Sequence, residues 1–427
     1  RGQVRFKQLR GFSRLFPIPM YIDETSVKFN TNNMTLSGAR LHLGKSDFTL
    51  SGELSDIRRA MLRGGKLKAN FELESDLIDC NQLMLAIGKG LQFSDQLASN
   101  SVGVFSEDSI SVLETDHLLA NTVDSVATDS ISQLFVVPKF LDLTLHTNAK
   151  KIDFKDLKLE DVKGEVVIRD QSINLSDLCM SSNIGSGDLT MVYTTKTDQE
   201  ATMGFELSLN DILVERLISL FPDIDTLVPM LRSFEGMVDC QMTATCKADS
   251  TMSVLLPSVN ASCYLSGKNM VLLDGETYTE ISKTLMFKNK KRNMIDSIAV
   301  DLAIHDNKIE VFPFLVEMDR YKVAVGGTHN LDMTFDYHLS VLKSPVPFKL
   351  GIDIKGNLDD FKFKIVKCKY KDFLKPAKQA ELDSTRRNVR EEIRETIRKQ
   401  IREAAPELGN SLSEIHPHTH GHVEEST

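Results

Sequence analysis

The sequence predicts a mainly β fold: an antiparallel sheet with a few short helices and one long C-terminal helix. Three observations predict it: stretches in which apolar and polar residues alternate, a scarcity of helical patterns, and a segment pattern that occurs about three times. Strict alternation is typical of a strand with one face in water and the other against apolar groups. The stretch LDMTFDYHLSVL, residues 331–342, shows it most clearly. Its predicted wet face consists of Asp332, Thr334, Asp336, His338 and Ser340.

The dry faces of these alternating strands are the candidate binding surface. Similar alternation occurs near residues 67–73, 141–145, 203–209, 350–354 and 361–365. The residues predicted to line one common apolar surface are Leu67 and Phe71; Met203, Phe205 and Leu207; Leu331, Met333, Phe335, Tyr337, Leu339 and Val341; Ile352 and Ile354; Phe361 and Phe363.

Helical patterns before the C-terminus are few and short. Ser55 is predicted to cap a helix over residues 57–62, and residues 77–87 form a second candidate. Asn210 is predicted to cap a third helix, which forms the first part of a helical segment over residues 210–234. These helices are too short to cover every dry strand face.

An internal repeat indicates how the chain is organised. NTNNMTL from Asn30, RDQSINL from Arg169 and HDNKIEV from His305 each place a polar turn before an alternating strand, about 140 residues apart. The predicted division is a partial β-groove module with short helices at 1–90, a β-groove module at 139–256 and a C-terminal β module at 257–376. An acidic, Ser-rich segment at 91–138 contains no Lys or Arg, which predicts a flexible insertion. Residues 406–427 are predicted to be a disordered His-rich tail without a physiological metal site.

Composition narrows the function classes. The formal charge of -9 argues against a nucleic-acid binder, and no apolar run approaches the ~18 residues that a membrane-spanning helix needs. No phosphate-binding loop, HExxH, GxSxG or CxxC motif is present, so we predict a protein without enzymatic activity or cofactor. The six cysteines fall mainly on dry strand faces and are predicted to be core residues, although a disulfide between neighbouring strands stays open.

The C-terminal helix, predicted over 384–405, carries two parallel columns. Val389, Ile393 and Ile397 form a narrow apolar stripe, and Arg390, Arg394 and Arg398 form a basic column. One interpretation is a solvated helix packed by its stripe over the end of the β structure. The other is a basic interfacial helix that contacts anionic lipid or a partner protein.

A sheet with one apolar face can cover it with a second sheet, with helices, or with an apolar ligand. Burial is favourable by roughly 25 cal/mol per Å² whichever apolar partner covers the face. Periodicity alone therefore leaves a closed β-sandwich and a ligand-lined groove both open.

A resemblance bears on this choice. The run VKGEVVIRDQSINLSDLCMSSNIGSGDLTMVYTT, and the segment from IHDNKIEVFPF to LDDFKFKI, resemble the repeating unit and the C-terminal module of the AsmA-like family, which includes TamB and YhdP relatives. The resemblance implies an elongated, curved β-groove whose apolar interior carries phospholipid between the inner and outer membranes. It also implies a periplasmic location, with tethering to the inner membrane by a segment upstream of Arg1.

Two other functions fit the same pattern. One is a β-sandwich scaffold or adhesin whose dry faces close on each other. The other is an outer-membrane protein assembly factor that pairs an open sheet edge with client strands.

Overall fold

A computed structural model provides the structure of the chain. It describes residues 2–13, 16–86, 89, 134–154, 157–182, 185–197, 199–220, 234–272, 293–318, 321–330, 334–344, 349–357 and 360–404. The predicted flexible insertion lies outside the described residues except for 134–138, and the predicted tail lies wholly outside them.

The described strands form one twenty-stranded sheet, which confirms the mainly β prediction. They are β1 Gly2–Ser13, β2 Phe16–Phe29, β3 Met34–Leu43, β4 Ser46–Ser55, β5 Leu67–Ser75, β6 Ile78–Asp79, β7 Leu141–Phe154, β8 Leu157–Arg169, β9 Ser172–Ser182, β10 Gly185–Thr194, β11 Glu200–Leu213, β12 Phe234–Glu235, β13 Met237–Asp249, β14 Asn260–Leu272, β15 Asn293–His305, β16 Lys308–Met318, β17 Tyr321–Asn330, β18 Phe335–Lys343, β19 Leu350–Gly356 and β20 Phe361–Val366.

The strands are ordered in space almost as they are in the chain. Neighbouring strands pair antiparallel from β1 to β5, from β7 to β11 and from β13 to β20, and β11 pairs with β13. The parallel pair of β5 with β7 joins the two parts. The short β6 also pairs parallel with β7, and the short β12 pairs antiparallel with β14, so the sheet is mixed and not wholly antiparallel as predicted. All three predicted modules therefore lie within one continuous sheet, and their boundaries stay a prediction.

Tight turns explain why this meander forms. Asp170 and Gln171 link β8 to β9, and Asp306 and Asn307 link β15 to β16, with positive φ at all four residues. Two-residue turns with two positive φ values match the twist of a hairpin, and Asp and Asn tolerate that conformation better than most residues. Both turns are the polar turns of the predicted repeat.

Three α-helices have defined bounds: α1 Ile57–Arg63, α2 Val214–Leu220 and α3 Pro376–Ala404; residues 80–86 are also helical. The predicted helix after Ser55 is confirmed, with Asp56 rather than Ser55 at its N-cap.

The predicted start of the third helix is wrong. Asn210 lies in β11, which continues to Leu213, and α2 begins only at Val214. A bulge with Asp211 at φ 55 lets the strand continue until Ile212 pairs with Val238, so Ile212 is a strand residue. The rest of the predicted segment, 221–233, lies outside the described residues.

The long C-terminal helix is confirmed, but it begins eight residues earlier than predicted. Pro376 opens it, since the fixed φ of proline suits the first helical turn. Ser384 is therefore an interior residue of the helix.

Candidate binding face

A single row of paired residues crosses eighteen strands on one face of the sheet. Directly paired residues in neighbouring strands point to the same side, so strand register identifies this face without reference to burial. The row, from β1 to β20, is Val4, Val27, Leu36, Gly52, Phe71, Leu145, Val166, Leu175, Met191, Phe205, Ala244, Ala261, Ile304, Ile309, His329, Phe335, Gly356 and Phe361. We call it the apolar row, and the side on which it lies the apolar face. Fifteen of its members are hydrophobic, and the exceptions are Gly52, His329 and Gly356.

Every predicted lining residue that the structure describes lies on this apolar face. Phe71, Leu207, Val341, Ile352 and Ile354 are buried. Those that stay partly exposed are Leu67, Met203, Phe205, Phe335, Tyr337, Leu339 and Phe361, while Phe363 is 41% exposed. Leu331 and Met333 lie outside the described residues. The structure thus brings these side chains onto one surface, and their contact with lipid stays a prediction.

Part of the apolar row was not predicted. Val166 and Met191, in β8 and β10, belong to the row, but these strands also place Val167 and Val192 on the opposite face. Apolar residues on both faces remove the alternation that would have identified the strands. Only the pairing register assigns each side chain to a face.

The apolar face is covered at both ends of the strands, while its middle is partly exposed. Ile57 and Ala60 of α1 line one margin together with Met34 and Leu54. Val214 and Leu217 of α2 pack into the apolar cluster at the other margin. Between these margins, the row residues Leu145, Val166, Leu175, Met191 and Phe205 stay partly exposed.

Residues 134–137 cross the first margin near β10. The Tyr193 hydroxyl donates a hydrogen bond to the main-chain oxygen of Phe135 at 2.8 Å, and the Val137 amide donates to Thr195 Oγ1 at 2.8 Å. Burial raises the pKa of Tyr193 to about 12. These bonds hold residues 134–137 against one end of the apolar face. The middle of the apolar row stays partly exposed.

The long helix α3 packs on the opposite side of the sheet, the polar face. Ile393, Ile397 and Ile401 are buried in a cluster with Val192, whose side chain points away from the apolar row. Gly204 allows the close approach, because a Cβ atom at that position would lie 3.1 Å from Ile397. The partly buried Val389 packs against the same cluster.

The arginine column of α3 meets carboxylates of the sheet. Arg386 and Arg390 each lie 3.3 Å from an oxygen of Asp301 in β15, and Arg394 pairs with Glu206 in β11. Desolvation raises the pKa of Asp301, although both arginines act to lower it. Arg398 pairs with Glu395 within the helix at 2.9 Å.

These contacts show which surface of the helix is used for packing. The apolar stripe packs on the polar face of the sheet, and two of the three predicted lipid-contacting arginines are paired with sheet residues. Contact of the helix with a membrane or a partner protein stays a prediction.

The predicted wet face of β18 also needs correction. His338 and Ser340 are buried, with exposed fractions of 5% and 0%. His338 Nδ1 lies 2.6 Å from Asp353 Oδ1, and the amide of Lys369 donates to His338 Nε2 at 3.1 Å. The amide of Tyr370 donates to Ser340 Oγ at 2.9 Å. The chain after β20 therefore folds back over the polar face and satisfies these side chains.

The cysteines are free, and two of them are buried on the apolar face as predicted. The Sγ atoms of Cys240 and Cys263 lie 4.0 Å apart in adjacent strands. The hydrogen bond with Cys240 and burial raise the pKa of the Cys263 thiol well above its ordinary value. Both thiols therefore behave as small core groups.

Three further findings concern metal sites, membrane spans and relatives. Within the described residues, no group of three or more His, Cys, Asp or Glu side chains could hold a metal ion. None of the described helices is long and apolar enough to cross a membrane. No family model, curated protein or solved structure matches the chain.

Proposed function

We propose that this chain binds phospholipid acyl chains along the apolar face and passes them between membranes without chemical change. One observation carries the proposal: a hydrophobic row extends through eighteen strands and stays partly exposed in its middle. A contiguous apolar surface that stays partly exposed over several strands, here β7 to β11, is typical of binding surfaces for apolar ligands or partners. Acyl chains are apolar along their length, as are the partly exposed row residues from Leu145 to Phe205.

The position of α3 supports the same conclusion. A 29-residue helix with an apolar stripe is the obvious element to cover an apolar sheet face. It packs instead on the polar face, where Asp301 and Glu206 pair with its arginines. The apolar face thus needs another apolar partner to exclude water from its middle.

Strand irregularities support a curved shape for the face. Extra residues interrupt the pairing in β3, β9, β11 and β16, and the bulges in the first three include Gly38, Asp177 and Asp211 with positive φ. A bulge bends its strand and increases the local twist. Bends repeated across the sheet favour a groove over a flat surface.

The cellular setting of the proposal comes from the resemblance to AsmA-like proteins. On that basis the groove would lie in the periplasm, tethered to the inner membrane, and would supply phospholipid to the outer membrane. This part of the proposal depends on the resemblance, whereas the binding of acyl chains depends on the apolar row.

The alternative of an assembly factor that pairs its sheet edge with client strands has less support. Edge strand β1 carries Arg5, Lys7 and Arg10, and edge strand β20 carries Lys362 and Lys364. Charged residues, lysine especially, are a common device that prevents edge pairing.

The test is mass spectrometry of what co-purifies with the chain, under native conditions and then after organic extraction. Phospholipid retained in a reproducible ratio, together with protein-dependent transfer of a fluorescent phospholipid from donor to acceptor vesicles, is expected. A folded, lipid-free protein that transfers nothing would refute the proposal and favour a closed scaffold.

A further inference from the structure

A cavity of about 400 Å³ lies between helix α1 and the sheet, at one margin of the apolar face. Its lining contains no polar side chain. The lining residues are Met34, Leu54, Ile57, Ala60, Gly65, Leu67 and Phe140. This volume lies in the range of small-molecule sites, and apolar lining of this kind binds apolar ligands rather than ordered water.

The cavity is continuous with the apolar face. Met34 pairs with Leu54, which pairs with Ala69 in β5. Ala69 and Leu143 then pair across the parallel junction into the second part of the sheet. A chain-like apolar ligand held in the cavity can therefore extend along neighbouring rows of the same face without crossing a polar side chain.

Two basic residues lie in α1 between the lining residues Ile57 and Ala60. Arg58 and Arg59 of α1 are exposed, and neither has an acidic partner among the described residues. The nearby Lys66 and Lys68, by contrast, pair with Asp170 and Asp56. Two positive charges in this region are thus available to an external anion.

The path of the chain places one of these arginines next to the lining. The Gly65 amide donates a hydrogen bond to the main-chain oxygen of Arg59 at 3.1 Å. A Cβ atom at Gly65 would lie only 2.8 Å from Arg59 Cγ, so the aliphatic stem of Arg59 covers this lining residue. The stem of Arg59 therefore lies at the cavity wall, and its charged end extends into solvent.

Large apolar side chains are exposed at the same margin. Leu62 of α1 is 72% exposed, and Phe140 is 59% exposed although it lines the cavity. Exposed apolar groups beside unpaired arginines are typical of surfaces that contact the interface of an anionic membrane.

We infer that the α1 cavity is the loading site for anionic phospholipid: it takes one acyl chain, and Arg58 and Arg59 bind the headgroup phosphate. This inference rests on the proposed function and assigns it a location and a preferred lipid class. Leu62 and Phe140 would touch the membrane, and the acyl chain would pass from the cavity to the middle of the apolar row.

The test uses phospholipids that carry a photoreactive group near the end of one acyl chain, presented in phosphatidylcholine vesicles with or without phosphatidylglycerol. Cross-linked peptides are identified by mass spectrometry. The variants are Ala60→Phe, which fills the cavity, and Arg58→Gln with Arg59→Gln, which removes the charges. Arg40→Gln is the matched control, because Arg40 is exposed and lies on the polar face.

The expected result is labelling of peptides that contain the cavity lining, stronger with the phosphatidylglycerol probe than with phosphatidylcholine. Removing both arginines should lower phosphatidylglycerol labelling by about fivefold or more, and Arg40→Gln should not lower it. Ala60→Phe should remove labelling at the cavity and leave labelling of β8 to β11 by lipid delivered in detergent. Labelling of β8 to β11 alone, or equal labelling by both lipids in all variants, would overturn the loading site and leave the proposed function standing. No labelling anywhere would overturn both.

Discussion

The substitution Met191→Gln tests whether the middle of the apolar row contacts lipid. Met191 lies between Leu175 and Phe205 in the row and is partly exposed. Gln has nearly the same length and shape as Met, so the change adds an amide with little change in volume. The matched control is Thr202→Gln in the adjoining strand β11, which places the same amide on the polar face.

The expected loss of affinity follows from burial. Covering a whole methionine side chain is worth about 1.5–3 kcal/mol, and Met191 is already partly covered, so its contact with an acyl chain contributes about 1 kcal/mol. Covering the Gln amide without a hydrogen-bond partner costs a further 1 kcal/mol or more, on the order of the penalty for an unsatisfied polar group. Together these give about 2 kcal/mol, or about thirtyfold weaker binding.

Displacement of a fluorescent fatty acid by phospholipid measures this affinity. The chain contains no tryptophan, so the signal of the probe is free of the usual protein emission. Thermal unfolding of both variants checks that the fold is intact. If Met191→Gln binds phospholipid as tightly as the wild type does, or if Thr202→Gln weakens binding equally, then the apolar row is not the binding surface.

Three further predictions concern the fold that supports this face. Ile397→Ala should lower the free energy of unfolding by about 2–5 kcal/mol, because Ile397 is buried between α3 and the sheet, whereas Leu62→Ala at an exposed site should change it by less than about 0.5 kcal/mol. Equal effects in urea denaturation would contradict this packing. Burial raises the pKa of Tyr337 from 10.0 to about 12, so its neutral form stabilises the folded state below pH 10.0 and this stabilisation is lost as the pH rises towards 12. Tyr337→Phe should therefore lose less stability over that interval, and an identical pH profile would refute the assignment. Gly52→Ala should destabilise the β4–β5 pair by about 1–3 kcal/mol, since the added Cβ would lie 2.1 Å from the main-chain oxygen of Asn70; an unchanged melting temperature would show that the strands can separate.

The strands that could be predicted are those with a single apolar face. In β18, Phe335, Tyr337 and Leu339 alternate with polar residues, and the structure places all three on the apolar face. In β8 the run Val166, Val167 and Ile168 gives no alternation, because both faces of this strand are covered or partly covered. Long-range pairing decides such cases, and one sequence contains no direct signal for it.

Bulges set a second limit on prediction. The bulge after Leu209 moves Ile212 onto the apolar face, one residue later than regular alternation would place an apolar residue there, which made the end of β11 resemble a helix. The prediction that His338 and Ser340 face solvent was wrong for a related reason. The segment that covers them is distant in the chain, and it contacts them through main-chain amides, which leave no side-chain pattern in the sequence.

The side of the sheet to which α3 binds could not be predicted either, and the lipid proposal depends on it. The stripe of Ile393 and Ile397 would fit either face, since hydrophobic burial has no direction. The choice is made by charge: Asp301 and Glu206 stand on the polar face at the spacing of Arg390 and Arg394, and unpaired arginines over the apolar row would lose hydration without compensation. The pairing that holds α3 on the polar face is therefore also what keeps the middle of the apolar row open. Breaking that pairing should let the helix compete with lipid for the same surface.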